Sequence, residues 1–236
     1  MKFIFLALLL IISHSCFAQI DLLKVASTKS NELFLTSANK DEVTKGLKEA
    51  LVNGASKAIE ISSAKDGFYS NRLISIPFPS EAEKMKKSLQ KIGMQSQIKA
   101  FEKSINSAAE LASKEVLVIF VDAINTMKIK DALQILNGGS TAATSYLKKQ
   151  ISVKLYNKIK PIVKKATLQV KVTKYWNPLI KSYNKIPFTK SVNSDLEDYV
   201  TNKTIDGIFV LISNEEKEIR NNPKARTSEL LLKVFK

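Results

Sequence analysis

Seven glycines and six prolines are spread over 236 residues, and this scarcity of breakers constrains the fold more than any other feature. Between them run long stretches rich in Ala, Leu, Ile, Lys and Glu. These residues lose little side-chain freedom in a helix, and a chain with few turn formers has few places to reverse as a sheet must. The expectation is an all-α protein, a single multi-helix domain over 19–236. One short stretch differs. "LISIPFP", Leu73 to Pro79, alternates, but Pro77 and Pro79 cannot donate to a ladder, so it reads as an extended connector.

Apolar spacing of three and four places the helices. Ile20 to about Leu35 reads as a first helix, broken by "SANKDE". Glu42 to Ser63 follows, with Gly46, Gly54 and alanines that permit close approach of another helix. "SEAE", from Ser80 to Glu83, has the form of a capping box, and Gly93 suits the end of the helix it opens. Gln95 to Met127 is apolar on more than one face and is expected to be one long central helix. "IKDALQIL" is a short helix stopped by "NGG". Thr141 then opens a helix that Pro161 should kink or break, resuming to about Tyr175. After a connector with helical pieces, Ser194 and Glu197 form a second capping box for a helix through Ile219. A short apolar helix, Thr227 to Phe235, ends the chain.

The first eighteen residues read as an export signal. Lys2 is followed by an apolar run, Phe3 to Ile12, too short to span a bilayer, and Cys16 and Ala18 occupy the small-residue positions of a cleavage site. Cleavage is expected after Ala18, which places the chain in the periplasm. In the minority reading Cys16 is lipidated and the protein is an outer-membrane lipoprotein; Ser13, where Leu is usual, weighs against it.

Export removes chemistry. The sole Cys, Cys16, and the sole His, His14, both lie in the signal. The exported remainder can build no disulfide, no Cys–His or Ser–His–Asp machinery, and no zinc or haem site on His or Cys. No catalytic residue, metal site or cofactor is assigned, and an enzyme is the lesser expectation.

The formal net charge is +15, unevenly spread. No acid lies between Asp131 and Asp195, where twelve lysines fall, Lys148 to Lys190; the only arginines are Arg72, Arg220 and Arg226. Lysine is a compact point charge, whereas arginine is the fork that reads phosphates and bases bidentately. The lysine-rich half therefore suits general attraction to anions. Lys154, Lys158, Lys164, Lys165, Lys171 and Lys174 form the candidate surface, with Tyr175 and Trp176 as interfacial anchors. The expected partner is an anionic membrane surface, or an acidic envelope polymer or protein; export argues against nucleic acid.

Two further places invite a site. Gly138, Gly139, Ser140 and Thr141 precede a helix whose free N–H groups attract anions, with Lys148 and Lys149 farther along. No lysine stands where a nucleotide P-loop needs one, and the plainer reading is a helix–turn–helix corner capped by Ser140 or Thr141. The alternative to a surface binder is a small-ligand carrier or enzyme with a helical pocket near Asn71, Arg72, Asp131 and Thr141. Ser-x-x-Lys pairs such as Ser62/Lys65 and Ser145/Lys148 arise by chance in so lysine-rich a chain. Glu215 and Glu216 with Arg220 and Arg226 read as a salt-bridge lattice that docks the terminal helix, Glu216 and Arg220 standing four apart.

Several segments taken together, "EALVNGASKAI", "GFYSNRLISIPFP", "NSAAELA", "MKIKDALQILNGGSTAATSYLKK" and "DYVTNKTIDGIFVLISNEEKEIRNNPKARTSELLLKVF", resemble a bacterial exported family, domain-of-unknown-function family 4197. The resemblance implies a secreted or lipid-anchored all-helical protein and carries no activity. The family's segment usually reads Asn-Arg-Ala-Ala-Glu; here Ser107 takes the Arg position beside Asn106.

Overall fold

The computed structural model describes residues 37–190, 192, 195–226 and 228–235, so the export signal and the expected helix at 20–35 lie outside the described residues. Helices account for nearly all regular structure. In order they are α1 (Ser37–Ser63), α2 (Glu83–Lys91), α3 (Gln95–Ser113), α4 (Leu117–Asn125), α5 (Ile129–Leu136), α6 (Ala142–Gln169), α7 (Val172–Tyr183), α8 (Leu196–Asn221) and α9 (Glu229–Val234). Single 3-10 turns at Ser80–Ala82 and Pro223–Ala225 lead into α2 and follow α8. Among the described residues there is no strand. The chain is all-α.

α3 is the centre, packing against α1, α6, α7 and α8. Its Phe101 meets Trp176 of α7 at 4.7 Å between ring centroids and Phe78 of the connector at 5.2 Å. The expected single helix over 95–127 is instead two. α3 ends at Ser113, whose buried hydroxyl bonds back to the Ala109 carbonyl at 2.8 Å. Such back-bonding competes with the backbone ladder. Lys114 and Glu115 then turn in solvent, and Val116, fully buried, stands at the cap position of α4. Cut there, the second half packs against α1 and α6.

Other boundaries move for local reasons. "SANKDE" does not break a helix; with no Gly or Pro, it forms the first turns of α1. Ser80 does not cap α2, because Pro79 leads the chain into a 3-10 turn first and neither end of that turn has a side-chain cap. Gly93 ends α2 as expected: at φ 82°, it lets the Gly93 and Met94 N–H groups bond back to Gln90 and Leu89. Ser194 lies outside the described residues, and the cap of α8 is Asp195, which accepts from the Asp198 N–H at 2.9 Å. Pro161 does not break α6. It sits on the solvent side, where Asn157 one turn earlier is also exposed, while Leu155, Ile159 and Val163 carry the buried stripe past it. The break comes ten residues later, where Lys171 turns left-handed at φ 56°. The stretch after Tyr175, expected as a connector with helical pieces, begins as the rest of α7, with Pro178 inside it, and leaves the helix after Tyr183.

The connector opens in a turn at 72–74, closed by the Ile74 and Ser75 N–H groups on the Asn71 carbonyl, and runs without helix or strand from 75 to 79, as its prolines require. Ile74, Ile76 and Phe78 point inward and Leu73 outward. Asn106 of α3 holds it like a strand partner: its Oδ1 accepts from the Ile76 N–H and its Nδ2 donates to the Ile76 carbonyl, both at 2.8 Å. One turn on, the buried Glu110 accepts the N–H groups of Phe68 and Tyr69 at 3.2 and 3.3 Å. Gly207 lets α8 lie against this segment, since a Cβ there would stand 2.7 Å from the Phe68 ring.

Candidate functional site

The corner that opens α6 brings the two charged features of the sequence together. Gly138 and Gly139 close α5 and turn the chain, and Ser140 is exposed. Thr141 stands at the cap position, but its side chain makes no capping bond. Capping comes instead from another helix. Glu216 of α8 accepts the N–H of Ala143 at 2.9 Å and of Thr144 at 2.8 Å, and the Thr144 hydroxyl at 2.8 Å. The helix N-terminus does attract an anion, as its dipole requires, and the anion is the protein's own carboxylate. The N–H groups that it takes are those of Ala143 and Thr144, next to the Gly138–Thr141 corner.

Glu216 is in turn held by Arg220, one turn along α8, with Nε and the terminal nitrogen each 3.0 Å from Oε1. Arg220 also donates to the carbonyls of Ile135 and Leu136 at the end of α5, at 2.8 and 3.3 Å. Its guanidinium stands 5.6 Å from the Phe235 ring. Arg226 ties the turn after α8 back to Ile219 and Arg220. The two arginines thus fix the last turns of the chain, and α9 fits against α1 at Gly46, which faces Leu230 and Val234. A cavity of about 10 Å³ between α1, α6 and α8, walled by Leu47, Ala50, Ile212 and Phe235, borders this knot. It has room for about one water.

The remaining sequence candidates are dispersed. Asn71 caps a local turn by accepting from the Leu73 N–H at 3.1 Å, and Arg72 is exposed. Asp131 accepts from the Tyr146 hydroxyl at 3.1 Å; that carboxylate and burial raise the phenol, burial contributing more. Lys148 pairs with Asp206 at 3.6 Å and Lys149 is exposed. Lys160 has its own partners. It donates to the Tyr156 hydroxyl at 2.8 Å and to Asp198 at 3.3 Å, while Tyr156 itself donates to Asp198. The Tyr156 bond is the main reason that Asp198 lies below the ordinary carboxylate range and Lys160 above the ordinary lysine value.

Lys154, Lys158, Lys164, Lys165, Lys171 and Lys174 are all exposed on α6, α7 and the break between them, and among the described residues none has an ion-pair partner. Trp176 is not an interfacial anchor. It is 8% exposed and packs, tilted, against both Phe101 and Phe78. A helical position facing α3 buries it; an isolated tryptophan among lysines gave the sequence no means of telling inward from outward. Tyr175 is half-buried. Sequence reasoning also missed Asn106 and Glu110, two polar residues four apart in an otherwise apolar helix. That spacing puts both on one face, and it was the available signal.

Among the described residues no helix is long and apolar enough to cross a membrane. No group of three or more His, Cys, Asp or Glu gathers among them where a metal ion could be held. Residues 37–236 match the sequence profile described as "Protein of unknown function (DUF4197)". No curated protein matches the chain, and no solved structure does.

Proposed function

The chain belongs to this family of unknown function, and on that premise we propose that it is an exported, non-enzymatic protein of the bacterial envelope whose lysine-rich face, 148–190, binds an anionic membrane surface. The observation that carries the reading is selective pairing. Lys148 and Lys160 have carboxylate partners on α8, whereas Lys154, Lys158, Lys164, Lys165, Lys171 and Lys174 have none among the described residues and stand in solvent. Six unmatched like charges on two consecutive helices repel one another, and an anionic surface relieves that repulsion. Each lysine near such a surface contributes about 1 kcal/mol, falling off within a Debye length.

The buried carboxylates and the cavity at Arg220 support binding over catalysis. Glu110 and Glu216 already accept several hydrogen bonds each, and the cavity is water-sized.

The test is co-sedimentation of the exported chain, Gln19 to Lys236, with phosphatidylcholine vesicles and with vesicles containing phosphatidylglycerol. Pelleting is expected only with the anionic vesicles, with loss at high salt and after K158Q/K164Q/K165Q. No pelleting at low salt would eliminate the membrane and leave an acidic polymer or protein as the partner. Mass spectrometry of the N-terminus from native envelopes separates cleavage after Ala18 from lipidation of Cys16.

A further inference from the structure

The turn between α7 and α8 carries the most exposed apolar side chain described. Phe188 is 106% exposed, more than in an extended reference chain, and its backbone is left-handed at φ 63°. A bulky residue rarely adopts that conformation without a constraint, and the constraints are visible. Ile186 packs on the core and its N–H bonds to the Tyr183 carbonyl at 2.9 Å. Thr189, just after the phenylalanine, donates its hydroxyl to the Ile186 carbonyl at 2.9 Å and is 3.3 Å from the Tyr183 carbonyl. Ile186 and Thr189 are therefore tied down to the end of α7, and the ring between them projects into solvent.

The setting of this tip is cationic. Lys185 and Lys190 flank it in the chain, and Lys181 and Lys185 line a shallow concavity of about 420 Å³ with Asn177 and Asn184 at the end of α7. None of the three lysines has an ion-pair partner among the described residues. A lone aromatic ring held outward amid lysines and asparagines has the amphipathic layout of an interfacial anchor: ring into the acyl boundary, ammonium and amide groups at the phosphates.

We infer that Phe188 is the membrane-inserting tip of the protein, entering the interface of an anionic bilayer while Lys181 and Lys185 engage headgroup phosphates. The inference rests on the anionic-surface reading above and goes further in naming the point of insertion. It also assigns to Phe188 the anchoring that the buried Trp176 cannot perform. Acidic proteins would satisfy the lysines without needing an exposed ring, so the ring selects the bilayer.

The chain has one tryptophan, Trp176, and its burial makes it an internal control. Phe188→Trp in the full-length exported protein should gain emission that shifts to the blue and is quenched by brominated acyl chains in phosphatidylglycerol vesicles, whereas wild-type emission should be unchanged. Phe188→Ser should lower the partition coefficient roughly ten- to a hundredfold while leaving the salt dependence in place, the size expected for one aromatic side chain removed from water. Salt-sensitive vesicle binding without quenching at position 188, or with Phe188→Ser equal to wild type, would overturn the insertion and leave the surface reading standing. Absence of vesicle binding by the wild type would overturn both. The position is fully exposed, so thermal melting of both variants should match wild type.

Discussion

The two ends of α6 carry charge in opposite ways. At its first turn, Glu216 is buried and Arg220 partly buried, and together they make several hydrogen bonds across three helices. Farther along, Lys154, Lys158, Lys164 and Lys165 stand in water with no ion-pair partner among the described residues. The difference teaches that net charge says little about which charges hold a fold together. A buried ion matters because removing its partner strands a desolvated charge; a solvated one matters through the field it adds to a surface.

The sharpest way to break this comparison is Glu216→Ala. It leaves the Ala143 and Thr144 N–H groups without their acceptor and Arg220 without its carboxylate partner, and urea unfolding should show a loss of about 3–5 kcal/mol. A loss below about 1 kcal/mol would mean that the knot is no more structural than the lysine face. Gly207→Ala comes next. The new Cβ would press on the Phe68 ring and on Ile74, and the expected cost is about 1–3 kcal/mol, read by the same unfolding curves.

Glu110 tests whether buried charge or buried hydrogen bonding does the holding. Glu110→Ala removes the acceptor for Phe68 and Tyr69 and should cost about 1–3 kcal/mol. Glu110→Gln keeps an acceptor and removes the charge. Burial pushes the Glu110 carboxyl up from its ordinary value of 4.5, more than its backbone hydrogen bonds pull it down. A raised folded-state value means that the carboxyl's contribution is fully present below the unfolded value and is lost as pH rises through the folded one. Wild type should therefore gain on Glu110→Gln as pH falls from 7 toward 4. A pH-independent difference would show that the carboxylate is not desolvated.

The smallest effect on stability belongs to the other region. K158Q/K164Q/K165Q should change the unfolding free energy by less than about 0.5 kcal/mol while abolishing pelleting with anionic vesicles. A large loss of stability would mean that these lysines hold the fold, and the contrast between the two ends of α6 would collapse.

Much of this architecture is legible in the residues. Scarce glycine and proline, with apolar spacing of three and four, specify an all-helical chain because helix satisfies its backbone locally. Pro77 and Pro79 specify an extended connector because they cannot donate, and Gly93 marks a helix end because it accepts a left-handed turn. The Glu216–Arg220 pair is also readable, since four residues make one helical turn.

What the tertiary structure decided is everything that depends on a distant partner. Glu216 caps a helix that begins more than seventy residues earlier, and no local motif announces it. Asn106 pairs with Ile76 in the same way. The run from Gln95 to Met127 has no breaker, so only packing could cut it at Ser113. Trp176 and Phe188 lie twelve residues apart in equally basic surroundings, yet one is buried against Phe101 and the other stands fully in solvent. Sequence fixes the period of a helix; which face of it meets the core depends on where the neighbouring helices lie, and that is a property of the packed assembly alone.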